Sequence, residues 1–185
     1  MVDLLQEDEA TPASYPTVPS GLSEKAAGLD AGAIWARIES YTAHRFTERQ
    51  VIWIIEGFEG QGWKPPLKPI LSHTAEKWED GAWMVDNLRD GPLGLFLTSC
   101  GHFRITAQVG GGDLPAPVSE AYRRLAEYSV EIAKDGMMSG HASHHAHSVN
   151  IGGEIQESYD RSRMWAARAL ELSGAADLLR PYRRA

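Results

Sequence analysis

Hydrophobic and polar residues alternate most regularly in the stretch FRITAQV, at residues 103–109. Its apolar positions are Phe103, Ile105, Ala107 and Val109. Because successive side chains of a strand point to opposite faces, this period of two predicts a half-buried β-strand. The stretch QVIWIIEG, at residues 50–57, is rich in β-branched residues and apolar on both alternating faces, which predicts a strand covered on two sides.

Shorter β-like runs occur at residues 70–78, 82–85 and 93–98. Turn signals separate them, since Asp80-Gly81 and Gly91-Pro92 combine residues that favour chain reversal. The pattern therefore predicts a small antiparallel sheet or sandwich over residues 49–110.

Three other stretches show helical periodicity, at residues 31–43, 117–135 and 161–172. In the first, Ile34, Ile38 and Tyr41 stand at i, i+4 and i+7, and Asp30 precedes the helix as a suitable N-cap. The predicted fold class is α+β, with helices at both ends of the chain (N-terminal, post-sheet and C-terminal) and the small sheet in the middle.

Extended arms are predicted at both ends of this core. Residues 11–21 contain three prolines, which are excluded from helix interiors and sheet ladders and are typical of an extended linker. The predicted organisation is an extended acidic, proline-rich arm at 1–29, a core at 30–135 plus 160–174, a His/Gly-rich loop at 136–159 and a basic C-terminal segment at 175–185.

Composition narrows the class of protein. The chain has 185 residues, of which 43% are hydrophobic, and this is enough for one sizeable core. Its formal net charge of -7 disfavours tight wrapping of nucleic acid, because such binding neutralises phosphates with Lys and Arg. No apolar run of about 18 residues occurs and the N-terminal MVDLLQEDEA is acidic, so we expect a soluble protein of the cytoplasm without a membrane span or secretion signal. The single cysteine, Cys100, excludes an intrachain disulfide and is expected to be a partly buried small apolar residue.

Four histidines crowd the stretch GMMSGHASHHAHS, namely His141, His144, His145 and His147. Three of them, at i, i+3 and i+4, would share one face of a helix, and imidazole is a common zinc ligand. Glycines and serines surround the tract, however, and it contains no Asp or Glu to act as a base. We therefore expect a loop without a specific metal, and no cofactor. The alternative is a metal-binding enzyme in which Glu154 or Glu157 supplies the missing carboxylate.

Motifs of known enzyme chemistry are missing from the sequence. It has no G-x-S-x-G elbow, no H-E-x-x-H helix and no Walker loop. Basic residues do not interleave with its tryptophans as in a nucleic-acid groove, so Trp53, Trp63, Trp78 and Trp83 indicate a sheet core or a subunit interface. The residues thus favour an interaction protein over an enzyme. A small accessory module that presents Trp63 and Trp78 to a partner is an alternative.

Five segments, in order along the chain, resemble the head-tail adaptor (connector) proteins of long-tailed phages and gene transfer agents. They are ARIESYTAHRF, IIEGFEGQGWKPPLKP, GHFRITAQVGGG, LPAPVSEAYRRLAEY and WAARALELSGAADLLRPYRRA, within residues 34–185. The resemblance implies a non-enzymatic virion protein of the neck, the head-tail junction, assembled in the host cytoplasm. It also implies a homo-oligomeric ring, a dodecamer, between the portal protein and the head-closure (stopper) or tail-terminator protein. DNA would pass through the lumen without sequence-specific binding, and no membrane is involved.

The C-terminal segment is the expected portal-docking arm in this family context. Residues 161–185 hold six arginines against two acids, and Trp165, Ala169 and Leu172 form a short apolar stripe. A helix with so little apolar area is marginal alone, and the groove of a neighbouring ring would bury it. The residues expected to dock are Trp165, Leu172, Leu178, Leu179, Arg180, Tyr182, Arg183 and Arg184.

Replacement of all four histidines of the tract by Asn tests the loop interpretation. We expect the free energy of unfolding to stay within about 0.5 kcal/mol of the wild-type value, the usual scale for exposed substitutions. Thermal unfolding followed by circular dichroism is the measurement, and metal analysis after dialysis against a chelator accompanies it. Loss of folding, or one zinc ion retained per wild-type chain, would contradict the interpretation.

Overall fold

The computed structural model of the chain describes residues 2–92, 94–138, 145–150, 156–160 and 168–183. The predicted α+β class is confirmed, because an antiparallel sheet occupies the middle of the chain and helices lie toward the C-terminus. The residues cluster into two compact units. The first comprises Met1–Pro16, Ala36–Leu114 and Pro181–Ala185, and the second comprises Thr17–Trp35 and Pro115–Arg180.

The described strands are β1 (Asp3–Glu9), β2 (Arg49–Gly57), β3 (Gly62–Trp63), β4 (Ile70–Glu79), β5 (Ala82–Asp86), β6 (Arg89–Gly91), β7 (Gly94–Phe96), β8 (Gly101–Val109), β9 (His145–Asn150) and β10 (Gln156–Asp160). The described helices are α1 (Glu24–Ala27), α2 (Ala31–Tyr41), α3 (Ala116–Met138), α4 (Ala169–Leu172) and α5 (Ala175–Leu179), and a 3-10 turn (Arg180–Tyr182) follows them.

The first unit is built on a five-stranded sheet in the order β1-β2-β8-β4-β5. At its centre, β2 pairs antiparallel with β8 in unbroken register, from Arg49 opposite Val109 to Gly57 opposite Gly101. Alternate residues of both strands are buried on one face, which confirms the period of two predicted for FRITAQV. The core residues from β2 and β8 are Val51, Trp53, Ile55, Phe103, Ile105, Ala107 and Val109.

The prediction that the β2 stretch is covered on both faces is wrong. Its Trp53 face is inaccessible to solvent, whereas Ile52 and Ile54 on the other face are half-buried. These isoleucines stand opposite Thr106 and Arg104 of β8, so the second face of the sheet is mixed. Side chains that fit a pleated, half-buried surface favour strands, and a run with two apolar faces is therefore compatible with a single core.

Strands β4 and β5 form a hairpin at the predicted turn. Asp80 has φ 47° and Gly81 has φ 82°, and a type I′ turn requires positive φ at both central residues. The turn places Trp78 opposite Trp83. Three shorter strands, in the order β3-β7-β6, form a further sheet of the same unit.

The arm predicted at 1–29 begins with a strand. β1 pairs antiparallel with β2, from Asp3 opposite Glu56 to Glu9 opposite Val51. Acidic residues are depleted from strands in general, so the composition of this segment did not indicate strand β1. The charges are tolerated because β1 is an edge strand whose residues face solvent along most of its length.

The same arm ends in helix α1. Ser23 is its N-cap, and the Ser23 hydroxyl accepts a hydrogen bond from the Ala26 N–H at 3.3 Å. The backbone N–H and the hydroxyl of Ser23 also donate to the Glu127 carboxylate, at 2.6 and 2.8 Å. Between β1 and α1, residues 10–23 contain neither helix nor strand.

Helix α3 organises the second unit, where α1, α4 and α5 all contact it. It begins at Ala116, close to the predicted start, and ends at Met138. Trp35 packs on Tyr122 with ring centroids 4.7 Å apart. The buried residues along α3 are Val118, Ala121, Tyr122, Leu125, Ala126, Val130 and Ile132.

The range predicted as a His/Gly-rich loop, 136–159, contains regular structure, which corrects the prediction. Besides the end of α3, it holds most of a two-stranded ladder of β9 and β10, from Gln156 opposite Asn150 to Asp160 opposite His145. Backbone groups make such a ladder, so a composition rich in His, Gly and Ser does not prevent it.

The structure also bears on the position of Cys100 and on the expected lack of a membrane span. Cys100 is exposed and not partly buried, because it lies in the bend that precedes β8. Within the described ranges, no helix has the length and hydrophobicity needed to cross a bilayer.

Truncation of Trp53 tests the position of the core. Trp53 is fully buried and its ring lies 5.5 Å from that of Trp63, so we expect Trp53→Ala to lower the free energy of unfolding by about 3–5 kcal/mol. Urea denaturation followed by circular dichroism measures the change. The control is Trp78→Ala, at a ring that is 44% exposed, where a clearly smaller loss is expected. Equal stability of the Trp53→Ala chain and the wild type would contradict the placement.

Candidate functional site

The residues expected to dock on a portal protein differ in their exposure to solvent. The exposed ones are Leu172, Arg180 and Arg183. Leu178 is half-buried, whereas Leu179 is inaccessible within the second unit, where α5 contacts α3. Trp165 and Arg184 lie outside the described residues. The exposed members are therefore the ones that another protein can reach without unfolding of α5.

Tyr182 is held by the first unit. Its carbonyl accepts a hydrogen bond from the Ala43 N–H at 2.9 Å. Its ring meets His44 and Phe46 edge-on, with centroids 5.7 and 6.0 Å away. Burial, together with two nearby cations, lowers the pKa of His44, so the ring beside Tyr182 favours its neutral form. Tyr182 would lose these contacts if it served as an anchor in another protein.

The histidine tract is only partly described. His141 and His144 lie outside the described residues, and His145 and His147 stand on β9. In the part of the chain that the structure does describe, no three His, Cys, Asp or Glu residues are grouped so as to hold a metal ion.

The tryptophans of the first unit divide between core and surface. Trp63 is buried against Trp53, so the alternative in which Trp63 is presented to a partner is wrong. Trp78 is partly exposed and lies 5.1 Å from Trp83, centroid to centroid. The guanidinium carbon of Arg104 lies 4.7 Å from the centre of the Trp83 ring, within range of a cation–π interaction.

These rings belong to an exposed apolar region of the β4–β5 hairpin, the hairpin surface, in which Trp78, Trp83 and Val85 lie on one face of the sheet and Met84 lies on the other. Val85 is 82% exposed and Met84 is 55% exposed. β5 is the last strand of its sheet, so one of its sides has no partner strand within that sheet. Large exposed apolar side chains on an edge strand are typical of a site that contacts another chain.

A second site, which the sequence analysis missed, is a group of charged side chains. This arginine cluster consists of Glu9, Glu39, Arg45 and Arg49. Arg45 donates hydrogen bonds from its Nε–H and Nη2–H groups to the two carboxylate oxygens of Glu9, at 2.6 and 2.9 Å. The two residues thus form a bidentate pair. Arg49 donates Nη1 to Glu9 at 2.9 Å and Nη2 to Glu39 at 2.6 Å. From its place on β2, Arg49 therefore links a carboxylate of β1 to one of α2.

Burial makes this pairing energetically important. The accessible fraction of the side chain is 5% for Arg49, 3% for Glu39 and 23% for Glu9. Removal of one member of a buried ion pair costs on the order of 3–5 kcal/mol, because the other charge stays behind without compensation. The second oxygen of Glu39 accepts the Phe46 N–H at 2.8 Å, which further fixes the end of α2.

The arginines set the charge state of Glu9. Burial by itself would raise the pKa of the Glu9 carboxyl, but the hydrogen bonds and positive charges of Arg45 and Arg49 outweigh burial and lower this pKa below 4.5. Two residues earlier on the same strand, Glu7 accepts a hydrogen bond from the indole N–H of Trp53 at 2.8 Å. Two carboxylates thus hold β1 in addition to its backbone ladder.

A cavity of about 250 Å³ adjoins the arginine cluster. Residues 9–12 and Tyr15 line one part of it, and Ala36, Glu39 and Ser40 of α2 line another. The guanidinium carbon of Arg49 lies 5.9 Å from the centre of the Tyr15 ring. The chain that leaves β1 is therefore separated from this part of α2 by open space along some of its course.

Comparison with known proteins adds one structural likeness. No protein-family model matches the chain, and no curated protein matches it. Among solved structures, it is similar to a chain of a structure described as the neck of an empty GTA particle computed with C6 symmetry. The match covers 98% of this chain and 96% of that chain, with 16% sequence identity and a TM-score of 0.48.

Acid unfolding tests the role of the arginines at Glu9. Because its pKa is depressed in the folded state, Glu9 contributes stability that is fully present above its unfolded pKa, near 4.5, and lost as the pH falls through the folded pKa. We therefore expect the free energy of unfolding to fall more steeply below about pH 5 in the wild type than in Glu9→Gln. At pH 7, Glu9→Gln should be less stable by about 1–3 kcal/mol.

Urea denaturation across this pH range gives the measurement. Asp8→Asn is the matched control, since Asp8 is an exposed carboxylate on the same strand and not a member of the arginine cluster. Parallel pH profiles for the wild type and Glu9→Gln would contradict the assignment.

Proposed function

We propose that this chain is a structural virion protein, a head-tail adaptor that forms a ring between the portal protein and the head-closure (stopper) or tail-terminator protein. The observation that carries the proposal is the colinear order of five segments, within residues 34–185, that resemble this family. Each segment is short, and a chance match to one of them would mean little. Their common order along most of the chain favours a shared architecture.

The charge balance supports a ring through which DNA passes. The chain carries 18 basic and 25 acidic residues. An acidic lumen repels the phosphate backbone and avoids the steep, salt-dependent grip of a basic channel. In a dodecamer that turns its acidic excess toward the lumen, the duplex would meet no site at which it is held.

The hairpin surface supports assembly with other chains. A closed ring is made by a heterologous contact, in which one surface of each copy meets a different surface of the next. Met84 and Val85 offer apolar area for such a contact, and the edge of β5 offers backbone groups. We assign the hairpin surface to a contact of this kind within the neck.

Docking on the portal involves the exposed part of the C-terminal segment in this proposal. Leu172 is 49% exposed and offers an apolar contact, and Arg180 is exposed and can make a bidentate pair with a carboxylate of a partner. Arg183 is also exposed, with its guanidinium carbon 4.6 Å from the centre of the Tyr41 ring, and would have to leave that ring to make such a pair. Leu178, Trp165 and Arg184 complete the proposed docking set. Leu179 and Tyr182 are withdrawn from it, because they pack within their own chain.

Native mass spectrometry of the purified chain, with and without purified portal rings, tests the proposal. We expect a closed homo-oligomer, a dodecamer, alone or on the portal. A charge reversal, Arg180→Glu, should weaken portal binding by about tenfold or more, because an attractive charge pair becomes repulsive.

The matched control is Arg89→Glu, which makes the same charge change at another exposed position. A chain that stays monomeric in both samples would overturn the ring. Equal portal affinity of Arg180→Glu and the wild type, or equal weakening by the control, would overturn the docking assignment.

A further inference from the structure

We propose that strand β1 is exchanged between neighbouring copies of the chain, so that residues 3–9 of one copy complete the sheet of the next. Exchange rests on the proposed function in one respect, since a ring holds a second copy within reach. It goes beyond that function because it identifies a joint between subunits.

The edge of β2 is built to receive an acidic strand. Without β1, the buried indole N–H of Trp53 would lose the Glu7 carboxylate, and Arg45 would lose its bidentate partner Glu9. A buried donor without an acceptor and a buried cation without an anion are both strongly unfavourable. The edge therefore requires two carboxylates at i and i+2 of an extended strand, whichever copy supplies them.

The donor strand is attached almost wholly by polar contacts. Six of its seven residues are exposed, among them Leu4 at 44% and Leu5 at 52%. The contacts that hold it are the ladder with β2 and the bonds of Glu7 and Glu9, and Val2, directly before the strand, packs against the core. An identical strand from a second copy makes the same contacts, so exchange involves no loss of complementarity.

The segment after β1 is long enough to reach a neighbour. Residues 10–23 contain neither helix nor strand, and three prolines favour an extended course. At about 3.1 Å per residue such a segment spans about 40 Å. A domain of about 100 residues, with a radius of gyration near 13 Å, is about 35 Å across. The cavity beside Tyr15 shows that close packing does not bind this segment to α2 along its whole course.

A ring makes exchange favourable. Every copy donates one strand and receives one, so the contacts per copy are unchanged and no sheet edge is left open by the exchange. The neighbour's strand is present at a high effective concentration, because the ring holds it close to the acceptor edge. Loss of a subunit then requires two strands to be peeled from their sheets, which stabilises the closed assembly.

Cysteine pairs across the ladder distinguish the two arrangements. In a Cys100→Ser background, Asp8→Cys with Ile52→Cys places two thiols on residues that pair in register. Their Cα atoms are about 5.5 Å or less apart, within disulfide range. The assembled full-length protein is oxidised mildly, its mass is measured under native conditions, and its chains are separated by denaturing electrophoresis without reductant.

Exchange predicts a series of covalent oligomers in this experiment, whereas a strand that stays with its own sheet predicts internally linked monomers. The matched control is Asp8→Cys with Thr106→Cys, because Thr106 stands opposite Ile52 on β8 and is one strand too far for a disulfide. A second test pair, Gln6→Cys with Ile54→Cys, guards against a local effect of the first substitutions on folding.

Covalent oligomers from either test pair, and not from the control, support exchange. Internally linked monomers within an intact ring overturn exchange and leave the adaptor ring standing. Covalent oligomers without a closed ring support exchange and overturn the ring. Monomers without any oligomer overturn both, and a failure of both folded test pairs to form any disulfide also overturns exchange.

Discussion

Two guanidinium groups with little access to water have to be matched by carboxylates, and the first unit is arranged around this requirement. Arg49 extends from β2 to Glu9 of β1 and to Glu39 of α2, while Arg45 holds both oxygens of Glu9. These ion pairs connect the N-terminal strand, the main sheet and the end of α2, and so help to fix the positions of all three. Substitution of one of these charged residues is therefore expected to destabilise the packing of all three elements.

The pairing of β2 with β8 supplies the apolar counterpart of this polar constraint. Their unbroken register places Trp53, Ile105 and their alternating neighbours on one face, so a single layer of side chains forms the core. The other face is mixed, and apolar area accumulates at the far edge, on Met84 and Val85. A sheet with one core and an apolar edge still has surface to bury, which suits a protein that works as part of an assembly.

Periodicity was sufficient to predict the elements whose positions depend on a core. The alternation in FRITAQV, the stripe on α2 and the Asp80-Gly81 turn all reappear in the structure. Strand β1 could not be found in this way, because an acidic edge strand is stabilised by Arg45 and Arg49, which stand about 40 residues away. The spacing of Glu7 and Glu9, two carboxylates on one strand face, was the available signal, yet their partners become apparent only when the chain is folded.

The packing of Leu179 and Tyr182 within their own chain could not be predicted from the sequence for a related reason. Helical spacing and charge identify residues that are able to make contacts, but they do not say with which chain the contacts are made. Leu179 is buried within its own unit, where α5 contacts α3, and the ring of Tyr182 packs edge-on against His44 and Phe46. The same ambiguity holds for β1, whose carboxylates fit the edge of β2 equally well from within the chain or from a second copy. Where every contact is polar and directional, complementarity determines the site of attachment, and the linker and the assembly determine which copy occupies it.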